Sequence, residues 1–288
     1  MFNFNISFID MRILVSNDDG YTAKGLQTLI KILKPYGELT VVAPKYHQSG
    51  MSMAVSIGLK RIAHKDMGLI DGVRWHYLDA TPASCVKFGA DVIFEGNPPD
   101  LVVSGINHGN NAASAACYSG TLGAAAEGAL AGIPSIGVSL DDQHLDADFS
   151  AVEALLPGIL DKLLKHPSGE RGLYYNINFP RLPQREIKGV RRACQGATHW
   201  EKEFDPWDPS YLLDRGVSAE AIKSETDKLG AGEPGEVMLM MSGDLRNTEG
   251  NRDDADNLLL AKGYITIVPH NIDCTSYGEL DRLGAYFS

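Results

Sequence analysis

The chain has no run approaching the roughly 20 apolar residues that a membrane-spanning helix needs, so no such helix is expected. The start, Met1-Phe2-Asn3-Phe4-Asn5, lacks the basic residues and apolar stretch of a secretory leader. Cysteine is scarce: Cys85, Cys117, Cys194 and Cys274 form no C-x-x-C pair, which argues against a zinc knuckle and a disulfide framework and fits reduced thiols in a cytoplasmic protein. Positive charge is short as well. With 26 basic residues against 37 acidic ones the formal charge is −11, which disfavours a nucleic-acid polymer or an anionic membrane as partner. Neither a G-x-G-x-x-G fingerprint nor a G-x-x-x-x-G-K-[ST] loop occurs, and there is no internal repeat or low-complexity tract.

What the chain does have is 288 residues that are 44% hydrophobic, enough for one large domain or one domain plus an appendage. The first 140 residues or so alternate two patterns. Short, nearly continuous apolar runs at 12–16, 39–43, 101–104 and 134–140 read as buried strands, and 52–79 as short strands including 73–78. Between them, Leu26, Leu29, Ile30 and Leu33 fall on one face of a helix over 25–34, stopped at Pro35 to Gly37. Thr81-Pro82 opens a helix to about Ala90, and Ser119-Gly120 an Ala/Gly-rich helix to about Gly132 that suits close packing on a sheet. Buried strands alternating with helices predict a mostly parallel sheet covered on both faces, a Rossmann-like α/β fold in three layers. Further on come a helix near 149–165 and strands at 173–179, 237–241 and 264–269. The polar stretch 180–235 is too long for a plain loop and reads as a hairpin extension or an oligomer contact. Residues 1–10 read as an N-terminal extension, 11–180 as the catalytic core, and 181–288 as the extension with a C-terminal segment returning to the core.

The chemistry concentrates at strand ends. Asp18 and Asp19 follow the first apolar run and precede Gly20, where α/β proteins build their sites. Taken alone, Asn17-Asp18-Asp19-Gly20 is an ordinary solvated turn. Ser49 follows the second strand, however, and Asn107 follows Leu101-Val102-Val103-Ser104, so three strand ends carry oxygen donors. Two carboxylates, a hydroxyl and an amide oxygen suit a hard cation such as Mg²⁺ or Mn²⁺ and leave coordination positions open. The N-terminus of the helix at Ser119-Gly120-Thr121 favours an anion, so the two features together describe a phosphate site.

In these residues the chain resembles the SurE family, stationary-phase survival proteins that are metal-dependent 5'/3'-nucleotidases. The likeness runs in order through Arg12 to Gly20, Ala43-Pro44 with Ser49-Gly50, Asp100 to Asn107 with Gly109 and Asn111, Tyr118 to Thr121, Ala124 to Gly128, Asn176 to Pro180, Asp256, and Gly263 to Pro269. The resemblance implies one divalent ion per subunit, Mg²⁺ or Mn²⁺, held by Asp18, Asp19, Ser49 and Asn107, with Asp18 and Asp19 as the catalytic pair. It implies a phosphate pocket of Asn107, Gly109, Asn111, Ser119, Gly120 and Thr121. It further implies hydrolysis of nucleoside 5'- and 3'-monophosphates by a metal-activated water, and a homodimer or homotetramer with a projecting hairpin and exchanged C-terminal segments. Two departures stand out: Ala112-Ala113-Ser114-Ala115 replaces the usual Leu-Gly-Asp-Asp type of run, and Ala80-Thr81-Pro82-Ala83-Ser84 replaces Gly-Thr-Pro-x-Asp.

Two other classes fit less well. A dehalogenase-type phosphatase needs Asp-x-Asp after its first strand, and here the aspartates are adjacent. A non-catalytic nucleotide-binding module has no use for paired carboxylates with open coordination. His108 suits a general acid, but as a loop residue it receives no role from sequence alone. Deleting residues 1–10 is expected to leave activity intact; an assay of the truncated protein checks this, and a large loss contradicts the extension reading.

Overall fold

The computed structural model describes residues 10–58, 61–214, 216–229 and 233–287. The expected N-terminal extension lies, apart from Asp10, outside the described residues. In chain order the strands are β1 (Met11–Ser16), β2 (Gly37–Pro44), β3 (His64–Ile70), β4 (Val73–Leu78), β5 (Leu101–His108), β6 (Ser135–Leu140), β7 (Leu173–Phe179), β8 (Val190–Arg192), β9 (Thr198–Glu201), β10 (Phe204–Pro206), β11 (Leu239–Met241), β12 (Asp244–Asn247) and β13 (Ile265–Asn271). The helices are α1 (Lys24–Leu33), α2 (Pro82–Phe88), α3 (Gly120–Leu130), α4 (Ser150–Lys165), α5 (Ser210–Leu213), α6 (Ala219–Leu229), α7 (Asp256–Ala261) and α8 (Tyr277–Leu283).

Nine strands form one sheet in the order β3-β4-β2-β1-β5-β6-β7-β13-β8, and β4 through β7 in that order are mutually parallel. Alternation along β1 sends Ile13 and Val15 to a core shared with Leu26 and Leu29 of α1 and Leu156 and Leu160 of α4. Leu14 points to the opposite face, where it joins Val42, Val102, Cys85 and Val86 of α2, and Ala124 of α3. The chain is thus a mostly parallel α/β sheet between two helical layers. Because β2 lies on one side of β1 and β5 on the other, the strand order switches direction there. The crevice at such a switch, beyond the carboxyl ends of the strands, is where this class of sheet binds ligands.

Several expected boundaries move. The helix after Thr81 ends at Phe88 and widens into a π-type turn over Gly89–Ile93. The strand expected from Val237 begins at Leu239, opposite Pro206, with one more bond from the Trp207 N–H to the Met238 carbonyl at 3.0 Å before the partner segment enters α5. Among the described residues of the stretch 52–79, only 64–70 and 73–78 are strand, and the β13 strand starts at Ile265 and runs antiparallel to β7. β13 follows a long excursion that ends in the short helix α7, and on its other side it runs parallel to β8. In that excursion β9 pairs with β12 and β10 with β11, two antiparallel ribbons whose junction falls at Lys202 and Gly243, both in the left-handed region.

One buried carboxylate ties this excursion to the core. Asp256, at the start of α7, accepts hydrogen bonds from the N–H groups of Ala113 (3.0 Å), Gly196 (2.9 Å) and Asn257 (2.8 Å). To aim its N–H at Asp256, Ala113 adopts φ +50°, a left-handed conformation that strains a residue with a Cβ. Next to it Ser114 Oγ donates to the Thr198 carbonyl and accepts the Thr198 N–H, at 2.7 and 2.9 Å. Asp256→Ala leaves two buried N–H groups and one half-buried one unpaired and is expected to cost ~3 kcal/mol in denaturant unfolding. Ala113→Gly relieves the left-handed strain and is expected to stabilise the protein by ~0.5–1 kcal/mol, net of glycine's greater freedom when unfolded.

Candidate active site

The turn after β1 is closed by Asn17, whose side-chain N–H donates to the Gly20 carbonyl at 2.9 Å, and by Gly20 at φ +98°. This bend lets neighbouring aspartates face one region. Asp18 is 3% exposed and Asp19's side chain 11%. Thr121 Oγ donates to Asp18 Oδ1 at 2.5 Å, and a Cβ placed on Gly120 would lie 2.8 Å from Asp18 Cβ and 2.9 Å from its Oδ2. Only glycine lets the first turn of α3 back onto the carboxylate this closely. The N–H groups of Gly120 and Thr121 belong to that first turn and have no carbonyl one turn behind them. Ser119 caps the helix, its Oγ accepting the Leu122 N–H at 3.0 Å, which leaves the hydroxyl proton for another acceptor.

The loop after β2 is fastened to the same turn. Gln48 N–H donates to the Asp18 carbonyl at 2.7 Å and Tyr21 N–H to the Pro44 carbonyl at 2.9 Å. The adjoining Ser49 is exposed, and its hydroxyl makes no hydrogen bond among the described residues. From the other side of β1, the register of β5 against β6 slips between Ser104 and Asn107, an irregularity that re-aims the strand end. Asn107 donates its amide N–H to the Gly109 carbonyl at 2.7 Å, so Oδ1 remains as the group for a cation. The structure therefore brings Asp18, Asp19 and Asn107 to adjacent strand ends, with Ser49 at the margin in the loop that touches Asp18.

Not every residue expected at the phosphate pocket can serve it directly. Gly109 has its N–H bonded to the Leu140 carbonyl at 2.8 Å and its carbonyl to Asn107, so its part is to turn the chain, at φ +103°. Asn111 is largely committed to a buried network. It donates its backbone N–H to Asn178 Oδ1 (2.7 Å) and a side-chain N–H to Ser139 (2.9 Å), and its carbonyl accepts from Asn176 (2.8 Å). Only its second amide hydrogen is left for a ligand. Thr121's hydroxyl belongs to Asp18, which leaves its backbone N–H. His108, expected as a loop residue, is the last residue of β5: its ring stands edge-on to Phe149, and Nδ1 lies 2.8 Å from the His144 carbonyl. Its backbone N–H donates to Asp19 Oδ2 at 3.3 Å. His47 went unassigned from sequence, although it stands two residues before Ser49; its Nδ1 lies 3.3 Å from Asp19 Oδ1.

The electrostatics ask for a cation. Burial, and then the neighbouring charge of Asp19, push the Asp18 carboxyl up to about 7, against the pull of the Thr121 hydrogen bond and of His47. The hydrogen bond to Asp19 in turn raises His47. Among the described residues no group of three or more His, Cys, Asp or Glu could hold a metal ion, so neutral oxygens must complete the ligand set. Two carboxylates with Asn107 Oδ1 and the nearby Ser49 hydroxyl fit a hard divalent ion and do not fit a soft one.

The model of the family described as survival protein SurE matches residues 13–202. The chain belongs to the SurE family. It is 37% identical to the 5'-nucleotidase SurE of Cytophaga hutchinsonii over 274 residues, 94% of this chain and 95% of that one. It is 36% identical to the 5'-nucleotidase SurE of Bacteroides fragilis over 281 residues, 95% of this chain and 96% of that one. The crystal structure of the SurE protein from Aquifex aeolicus superposes with a TM-score of 0.73 at 27% identity, covering 95% of this chain and 98% of that one. Family membership thus spans the core and the excursion beyond it.

A raised Asp18 has a testable sign. Its ordinary value is 3.8, so between about pH 4 and 7 the metal-free folded state binds a proton that the unfolded chain does not. Stability is therefore gained as pH falls through that window, and the penalty is complete above it. Thermal melts of chelator-treated protein are expected to rise by several degrees from about pH 8 to about pH 5, with Asp18→Asn flattening that rise and Mg²⁺ or Mn²⁺ shrinking it.

Proposed function

We propose that this SurE protein is a divalent-metal-dependent phosphomonoesterase that converts nucleoside 5'- and 3'-monophosphates to nucleoside and phosphate. One observation carries the site reading: the buried Asp18 carboxylate, with half-buried Asp19 next to it, abuts the first turn of a helix whose N–H groups have no helical partner. Carboxylates and phosphate repel each other, and a cation between them reconciles the two. Relatives named 5'-nucleotidase SurE, aligned over nearly the whole chain, supply the substrate class.

In this reading Asp18, Asp19, Ser49 and Asn107 Oδ1 hold one Mg²⁺ or Mn²⁺. When bound, the ion neutralises phosphoryl charge and activates water as the nucleophile. The N–H groups of Gly120 and Thr121, the Ser119 hydroxyl and the spare amide hydrogens of Asn107 and Asn111 hold the phosphoryl oxygens in line for attack. Asp18 is pinned by Thr121 and Gly120, which suits a fixed ligand better than a covalent nucleophile. The protein is read as a cytoplasmic homodimer or homotetramer, its C-terminal segments exchanged between subunits. Exposed apolar side chains on the ribbons, among them Phe204 (63%) and Met241 (67%), support a contact there, and all four cysteines are free.

Metal-depleted protein should hydrolyse AMP and other ribo- and deoxyribonucleoside monophosphates only when Mg²⁺ or Mn²⁺ is restored. Asp18→Asn and Asp19→Asn should each lose about 100-fold or more of kcat/KM while remaining folded by circular dichroism. Near-normal turnover in either variant removes that carboxylate from the mechanism.

A further inference from the structure

We infer that His47 is a positioning residue whose Nδ1–H holds the Asp19 carboxylate in the orientation in which it serves the divalent ion. The inference rests on the reading of Asp18 and Asp19 as ligands. Asp19 receives one donor on each oxygen: His47 Nδ1 lies 3.3 Å from Oδ1, and the His108 N–H reaches Oδ2 at 3.3 Å. These donors come from opposite sides of β1, one from the loop after β2 and one from the end of β5. A carboxylate offers about four lone-pair directions, so a single donor on each oxygen fixes the plane of the group and leaves one direction on each for a cation.

The backbone that carries His47 is held independently of its side chain. Gln48 N–H is bonded to the Asp18 carbonyl at 2.7 Å, and a Cβ on Gly20 would stand only 3.7 Å from the His47 nitrogen. The imidazole itself is 62% exposed and touches no other hydrogen-bond partner among the described residues. Its single polar engagement is with Asp19, and a group so exposed contributes little to the fold. Partners of this kind, one step removed from the ion, set the orientation and basicity of the ligand they hold.

The test uses the full-length protein stripped of metal by a chelator. Mn²⁺ is titrated without substrate, by calorimetry and by loss of the free-ion paramagnetic resonance signal, into wild type, His47→Ala and His47→Asn. Asparagine is the rescuing variant because its amide N–H occupies nearly the position of Nδ1–H. His47→Ala is expected to bind Mn²⁺ about 10- to 100-fold more weakly and His47→Asn to return to within about threefold of wild type. The Mn²⁺ concentration that half-activates AMP hydrolysis should move by the same factors. Wild-type affinity in His47→Ala, or an asparagine variant no better than alanine, overturns the inference alone, provided the wild type binds Mn²⁺ and hydrolyses AMP. A wild type that does neither overturns the site reading along with it.

Discussion

Everything at this site follows from burying a carboxylate beside another carboxylate. Asp18 is almost fully withdrawn from solvent, pressed against Gly120 and bonded to Thr121, with Asp19 next in the chain. Burial and mutual repulsion each oppose ionisation, and a protein under selection for stability alone would place an apolar or neutral residue here. The surrounding features all bear on this conflict. A glycine opens α3 so that the helix end can reach the carboxylate, a threonine donates to it, and the neighbouring aspartate is held by donors from two other strand ends. The arrangement trades stability of the empty protein for affinity toward a cation.

Much of this was legible because buried parallel strands write themselves as continuous apolar runs, and β1, β2, β5 and β6 did so. The paired aspartates and Asn107 were visible as polar groups directly following such runs, and the helix cap at Ser119 followed from its residue type. Directions and commitments were not visible. Nothing local in Tyr264 to Pro269 tells an antiparallel strand from a parallel one. Whether an asparagine is free or engaged depends on distant partners: Asn111 meets Ser139, Asn176 and Asn178 only once β6 and β7 are side by side. Gly109 reads as an open phosphate-binding glycine until its N–H is found on Leu140. His47 gave no signal, since a histidine in a polar loop is ordinary until the fold sets Asp19 beside it.

The Ala112-Ala113-Ser114-Ala115 turn shows how a distant carboxylate can dictate backbone shape. A left-handed residue is still required at position 113, because that conformation turns its N–H onto Asp256. Alanine tolerates the position at a cost that glycine does not incur. Ser114 and Thr198 exchange two hydrogen bonds, joining the turn to the base of β9 without the charge of an aspartate.

This placement links the hairpin excursion to catalysis. Asp256 joins Ala113, Gly196 and Asn257, and so fastens together the turn after Asn111, the approach to β9 and the start of α7. Ala113 stands in the chain between Asn111 and Ser119, the two ends of the segment proposed to present donors to the phosphate. Loosening Asp256 would free the middle of that segment at Ala113, while the bonds of Asn111 to Ser139, Asn176 and Asn178 would still hold its β5 end and the Asp18–Thr121 bond its α3 end. On the proposed reading, the metal ligands rest on the core sheet, while the segment between the phosphate donors is braced by a carboxylate supplied from more than 140 positions further along the chain. A fold that keeps the two on separate supports can vary its hairpin without disturbing the proposed metal ligands.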